Sequence, residues 1–434
     1  MPFLIGDQLN PARDHWVFGW ETGRIARSLA LGRGFGSPLF GWTGPTAWMA
    51  PIYPGLLAGV FRVFGIYSKT SAFVILGFNC LFAALTCIPL HWMASRMFDR
   101  RTAAVATWIW ALLPYSIDFA TSLVWDTALS AMLLCVAIAM TLRLERRFGI
   151  RNWLLWGTIW AVAGLTEPSL LACLPVASLW LVSRLRKRGV PWAFFWRPVV
   201  AALAFIALVS PWFARNYRVF GGYIPFRSNF WLTVYQGNTW DTFDLYPDWA
   251  NPPHNPAEMN EYAQSGEVAY MAHKKTEALS EIKGSPGRFA LTTFRRVLFT
   301  WTGYWNMSAD YRRIEPFAIP EVFMATLLSV LAASGLVLAW RRVKWFAVLL
   351  LFLLGVFPMV YCVTHPSPAY RHPLDPLLVI LAAYVFTWRS PGPARKQDAK
   401  GYKPAHSLAC NERAEVASSV NGATEFFRAY RPMP

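Results

Sequence analysis

Nine apolar runs, each approaching the length that crosses a bilayer, constrain this chain more than any other feature. They lie at about 71–94, 102–117, 126–142, 153–165, 169–183, 198–213, 319–340, 345–363 and 373–388, against the ~20 residues a helix needs to traverse the hydrocarbon core. In lipid the backbone must satisfy its own hydrogen bonds, so such runs become helices. Only 15% of the 434 residues are charged and 55% are hydrophobic, where soluble domains carry about 25% charged residues. The expected fold class is all-α, a polytopic transmembrane helical protein whose extracytoplasmic loops bear interfacial helices. The short pair 153–165 and 169–183 reads as a tight hairpin around Thr166-Glu167-Pro168.

Loop charge sets the expected orientation. Alternate connections carry SRMFDRR (95–101), LRLERRFGIR (142–151), SRLRKRG (183–189) and RRVK (341–344), while YSIDFATSLVW (115–125), TEP (166–168) and THPSPAYRH (364–372) are nearly free of Lys and Arg. Basic loops stay in the cytoplasm. The alternation holds only if Ala47–Phe64 does not cross. Pro51 and Pro54 interrupt the start of that stretch and Arg62 sits near its end, which suits an interfacial or re-entrant helix. The opening loop, 6–46, then lies outside, and MPFLI at 1–5 reads as the trailing end of a preceding span. The expectation is an integral, multi-pass protein of a bacterial inner (plasma) membrane with its active face outside the cytoplasm. The net charge of +17 is explained by these loops, and no base-reading module accompanies it, so nucleic acid is not an expected partner. The six cysteines lack CxxC or metal spacing and read as small apolar residues.

The chain divides accordingly: a first extracytoplasmic loop with interfacial helices (1–70), a transmembrane block (71–214), a large extracytoplasmic loop (215–318), C-terminal spans (319–389) and a disordered cytoplasmic tail (390–434). Within the first loop, Glu21–Leu31 forms an amphipathic helix with Ile25, Ala26 and Leu29 on one side. In the large loop, Pro256–Ile282 reads as one helix stopped by Gly284-Ser285-Pro286, and Gly287–Thr302 as a second.

Four places on the outer side could carry chemistry: Asp14 with Glu21, Trp125-Asp126, SPWFARNYRVFGGYIPF (210–226) and AYRHPLDP (369–376). Acids at the heads of apolar helices are costly in lipid and mark sites, pathways or paired charges. Carboxylates with Arg and His at one membrane surface suit a charged lipid head group, the acid as general base and Arg against a departing phosphate. Blander readings stand beside these. Asp126 could cap the helix it heads, Arg215 and Arg371 could be interfacial anchors, and Glu167 reads first as a polar hairpin apex. Trp42, Trp48, Trp125, Trp212, Trp231 and Trp240 could stack on sugars or belong to the interfacial aromatic belt. With no HExxH, DxD or Cys/His cluster, no cofactor is indicated, and a divalent cation is left open.

The order of IARSLALGRGF, APIYPGLLAGVFRVFG, VWDTALSAMLL, GLTEPSLLACLP, PWFARNYRVFGGYIPF and YRHPLDPLLVILAAYV resembles the GT-C superfamily of polytopic glycosyltransferases. It is most similar to the bacterial branch related to protein O-mannosyltransferases and the aminoarabinose transferases of lipid A, over about residues 14–388. The resemblance implies transfer of a sugar from a polyprenyl-phosphate carrier to a protein, lipid or glycan acceptor outside, with inversion and a first-loop acid as base. Many relatives carry an acid about a turn before Glu21, where this chain has Phe18 and Gly19. Glu21 is therefore the first choice for the base and Asp14 the second. Asp126 matches the second-loop acid. Arg24, Arg27, Arg215, Arg371 and His372 are the expected substrate contacts. A transporter or flippase of a lipid-linked glycan, or an inactive envelope-assembly protein, are the alternatives.

Overall fold

The structure, a computed structural model, describes residues 9, 11–147, 149–191, 196–239, 248–306 and 318–388. Two short helices come first, α1 (Trp20–Ala30) and α2 (Ile52–Phe64). A helical block follows: α3 (Lys69–Met97), α4 (Arg100–Leu112), α5 (Pro114–Ser122), α6 (Thr127–Leu144), α7 (Ile150–Thr166), α8 (Cys173–Lys187) and α9 (Arg197–Phe220). The polar segment holds α10 (Phe230–Asn238), α11 (Pro256–Ser265), α12 (Glu267–Gly284) and α13 (Pro286–Thr302). The chain then returns to the bundle as α14 (Ala318–Arg342), α15 (Lys344–Val356), α16 (Met359–Val363), α17 (Pro368–Arg371) and α18 (Asp375–Thr387). Among the described residues there is no strand, only an isolated bridge between Gly36 and Pro45.

This is an all-helical, multi-pass membrane protein. Six stretches are long and apolar enough to cross, and α4 with α5 makes a seventh as one span bent by 47°. The expected span 102–117 was a single helix. Pro114 lacks the amide that would continue α4 and forces Leu113 into extended backbone, so the run bends there. The expected spans 153–165 and 373–388 are helices of 17 and 13 residues. α18 is buried from Asp375 through Tyr384, which is why its sequence is apolar on every face. Ala47–Phe64 yields the 13-residue α2, too short to cross. The single helix expected at 256–282 is two, because Gly266 at φ 77° ends α11 and starts α12. The expected tail 390–434 and the segment 1–5 lie outside the described residues.

The basic loops expected on one side meet at one end of the bundle. Glu145, buried after α6, is paired with Arg96 of α3 at 3.1 Å and Arg184 of α8 at 2.6 Å. Trp180 donates to the Trp345 carbonyl at 2.8 Å, and Lys187 sits 3.8 Å above the Trp345 ring. At the same end Thr102 of α4 meets Thr387 of α18 at 2.7 Å. A single buried carboxylate thus gathers guanidinium groups whose mutual repulsion would otherwise splay the helix ends.

Small residues let helices touch by their backbones. A Cβ on Gly157 of α7 would fall inside the Ala201 carbonyl of α9. Gly157→Val should therefore separate α7 from α9 and cost about 1–3 kcal/mol, the usual range for overpacking. A drop in the melting temperature of the detergent-solubilised protein would show it; an unchanged melt would mean the contact is not close.

Candidate active site

At the end opposite Glu145, three carboxylates converge on one arginine. Glu21 lies in the first turn of α1. Its place depends on Gly19, whose φ of 75° only glycine adopts freely and whose missing Cβ leaves room for the Val124 carbonyl. That approach sets α1 against the head of α6, with Trp20 packed edge-on to Trp125 at 5.6 Å. Phe18, where relatives were expected to carry the acid, is fully buried against Phe61 and Tyr67. Core packing occupies that position here, and the acid stands three residues later.

Asp126 heads α6, is 5% exposed, and its side chain makes no capping hydrogen bond. The helix-cap reading is therefore removed. Glu167 follows α7 and uses both oxygens: Oε1 accepts the Ser169 amide at 3.2 Å, and Oε2 accepts Arg227 Nη1 at 2.8 Å. Arg227 reaches in from the link between α9 and α10, donating through Nε to the Trp48 carbonyl at 3.3 Å and through Nη2 to the Met49 sulfur at 2.7 Å. Tyr370 lies within electrostatic reach of Glu21, Asp126, Glu167 and Arg227. It stacks at 5.1 Å on Tyr361, whose hydroxyl meets Ser169 at 2.9 Å.

The electrostatics follow from this crowding. Glu21 is half-buried. Burial pushes its pKa up to about 7, with the Arg227 charge opposing the shift. Burial also raises Asp126, and the neighbouring Glu167 carboxylate raises it further. Burial alone would weaken the Arg227 proton, but Glu167 and Asp126 more than compensate, so the guanidinium stays charged. Among the described residues, no group of three His, Cys, Asp or Glu is arranged to hold a metal ion.

The other residues singled out in the sequence sit elsewhere. Asp14 is paired with Arg24 and Arg27 at 3.0 and 2.8 Å. Burial raises its pKa, but the hydrogen bonds and charges of the two arginines together outweigh it and hold it below the usual carboxylate range. Arg24 is buried, with Nε on the Leu39 carbonyl at 2.6 Å. Arg215 grips the Thr46 and Phe35 carbonyls at 2.6 and 2.7 Å and so ties α9 to the first loop. Arg371 and His372 are buried and share Asp375. These cations hold the walls together rather than facing the acids. Trp48 and Trp212 are buried, Trp42 is exposed, and Trp240 lies outside the described residues. The two residues missed by sequence reasoning are Glu167, taken as a hairpin apex, and Arg227, one position beyond PWFARNYRVFGGYIPF. Each carried a signal: an acid in an apolar hairpin on the side poor in Lys and Arg, and an arginine in the link that follows α9 on that side.

No family model matches the chain, and no curated protein matches it in sequence. Solved structures do share its fold. The oligosaccharyltransferase AglB from Archaeoglobus fulgidus, in complex with an inhibitory peptide and a dolichol-phosphate, superposes with a TM-score of 0.51 at 14% identity, over 88% of this chain and 49% of that one. The same enzyme tethered to an acceptor peptide gives 0.51 at 12% identity, over 88% and 48%. ArnT from Cupriavidus metallidurans, bound to undecaprenyl phosphate, aligns at 0.36 and 13% identity over 82% and 72%. The chain thus spans about half the length of the archaeal enzyme. The fold is therefore shared with the archaeal oligosaccharyltransferase.

Proposed function

We propose that the chain is a membrane glycosyltransferase that moves a sugar from a polyprenyl-phosphate carrier to an acceptor hydroxyl at the extracytoplasmic face of a bacterial inner membrane. The observation that carries this is the set of three carboxylates around Arg227 at the end of the bundle away from the basic loops. The fold shared with a glycosyltransferase solved with a dolichol-phosphate supports the donor class.

In this reading Glu21 accepts the acceptor's proton as its oxygen attacks the anomeric carbon. The bond from that carbon to the phosphate oxygen breaks on the opposite side, which inverts the centre, and the departing phosphate keeps the electron pair. Arg227 stabilises the charge that builds there, since a guanidinium stays ionised at any working pH. Asp126, with its proton held by burial, donates a hydrogen bond to a phosphate oxygen instead of repelling it. The first loop, braced by Asp14, Arg24, Arg27 and Arg215, packs beside these residues and would limit water at the reacting centre.

Membranes containing the protein, supplied with radiolabelled polyprenyl-phosphate sugars, should release polyprenyl phosphate and label an acceptor. Membranes with Arg227→Ala should not. Equal labelling from both, or none from the unmodified protein with a full panel of donors, overturns the proposal.

A further inference from the structure

We propose that Glu167 is a positioning residue of this site: its carboxylate aims the Arg227 guanidinium at the donor phosphate and sets a fixed negative charge beside Asp126. The inference rests on the reading of the carboxylates around Arg227 as a site for a phosphate-linked donor.

The geometry separates the two oxygens of Glu167. One is tied to the Ser169 amide at the start of the 3-10 turn Pro168–Ala172, so the carboxylate is tethered to the backbone. The other takes one N–H of Arg227 at 2.8 Å. The remaining hydrogen bonds of Arg227 are a long one to the Trp48 carbonyl and one to the soft Met49 thioether. A thioether is a weak acceptor that a phosphate oxygen readily displaces. Arg227 is therefore held at one edge and loosely engaged at the other, the arrangement a guanidinium needs to receive an oxyanion.

The charged and titratable groups that act on Asp126 are Glu167, Arg227, Tyr53 of α2, and Tyr370. Of these Glu167 is the carboxylate paired with Arg227. Its charge favours the proton on Asp126, and removing it frees Arg227 to approach Asp126 as well. Both changes favour ionised Asp126, which would repel the phosphate.

The test is binding of polyprenyl monophosphate to the purified protein in detergent, followed from pH 6 to 10 for the unmodified protein, Glu167→Gln and Glu167→Asp. The ligand's own titration is common to all three, so differences belong to the protein. Glu167→Gln should weaken binding about tenfold near pH 7, and its affinity should begin to fall at a lower pH than in the unmodified protein. Glu167→Asp keeps the charge but shortens the reach. It should lose affinity while the pH of the fall stays put. If Glu167→Gln fails to fold, Glu167→Asp carries the test, and undiminished affinity there overturns the inference. So does a Glu167→Gln protein with normal affinity and an unmoved pH profile. If the unmodified protein does not bind polyprenyl monophosphate at all, the donor-site reading fails and this inference falls with it; if it binds and the variants match it, only the role of Glu167 is lost.

Discussion

Glu21→Gln should slow sugar transfer by a factor of about 10²–10⁴, the usual contribution of a positioned general base, with little change in polyprenyl-phosphate affinity. Glutamine keeps the shape of the side chain and cannot accept the acceptor's proton. The pH profile makes the assignment sharper. Glu21 has its pKa pushed up to about 7 by burial, so its carboxylate form is lost as pH falls below 7 and populated above it. The unmodified enzyme should lose activity on that acidic limb, and the residual activity of Glu21→Gln should show no such limb. Asp14→Asn is the contrasting variant. Asp14 is held as an anion by Arg24 and Arg27, which makes it a weak base at the rim of the first loop. It should retain most of the transfer rate and keep the acidic limb. If Asp14→Asn removes the limb and Glu21→Gln does not, the base has been assigned to the wrong acid.

The bundle was legible in the sequence because lipid leaves a backbone few choices: an apolar run of adequate length must be a helix. The grouping of basic loops was legible for the same reason, and Glu145 shows how the molecule accommodates it. Breaks inside runs were less so. Leu113-Pro114 bends a span, and Gly266 divides a helix that composition alone would continue. The acids of the site were half legible. Glu21 and Asp126 stand at the heads of helices, where an acid facing lipid is costly, whereas the role of Glu167 depends on an arginine 60 positions away. Arginines were the hardest to place. A sequence shows that Arg24, Arg215 and Arg371 carry charge, but not that the carbonyls of Leu39, Thr46, Phe35 and Thr300 lie waiting for them. The cation that does face the acids, Arg227, has no feature of its own to separate it from those, apart from its place in the link after α9.

Arg371 and His372 lead to the largest expected effect on stability. Asp375, at the start of α18, is fully buried and occupies one oxygen with Arg371 Nε and the other with His372 Nδ1, each at 3.0 Å. Arg371 also donates to the carbonyls of Thr300 and Trp301 at 3.2 Å and to Ser329 at 3.3 Å, so the group joins α13, α14 and α18. His372 lies stacked on Trp110 at 5.2 Å. Asp375→Ala removes the carboxylate bonded to the buried Arg371 guanidinium, and breaking a buried pair on one side costs roughly 3–5 kcal/mol. The variant should melt far below the unmodified protein in detergent, or fail to accumulate. Replacing both partners, as Arg371→Met with Asp375→Leu, removes the desolvated charges together and should be less damaging than Asp375→Ala, which a double-mutant cycle on melting temperature would reveal. A milder change, Arg371→Lys, should lower stability without altering polyprenyl-phosphate affinity in the fraction that folds, because Arg371 spends its hydrogen bonds on Asp375, Thr300, Trp301 and Ser329. Were Arg371→Lys to weaken phosphate binding with stability intact, Arg371 would belong to the substrate site after all, and the boundary drawn between the acids at Glu21, Asp126 and Glu167 and the buried pair behind them would have to move.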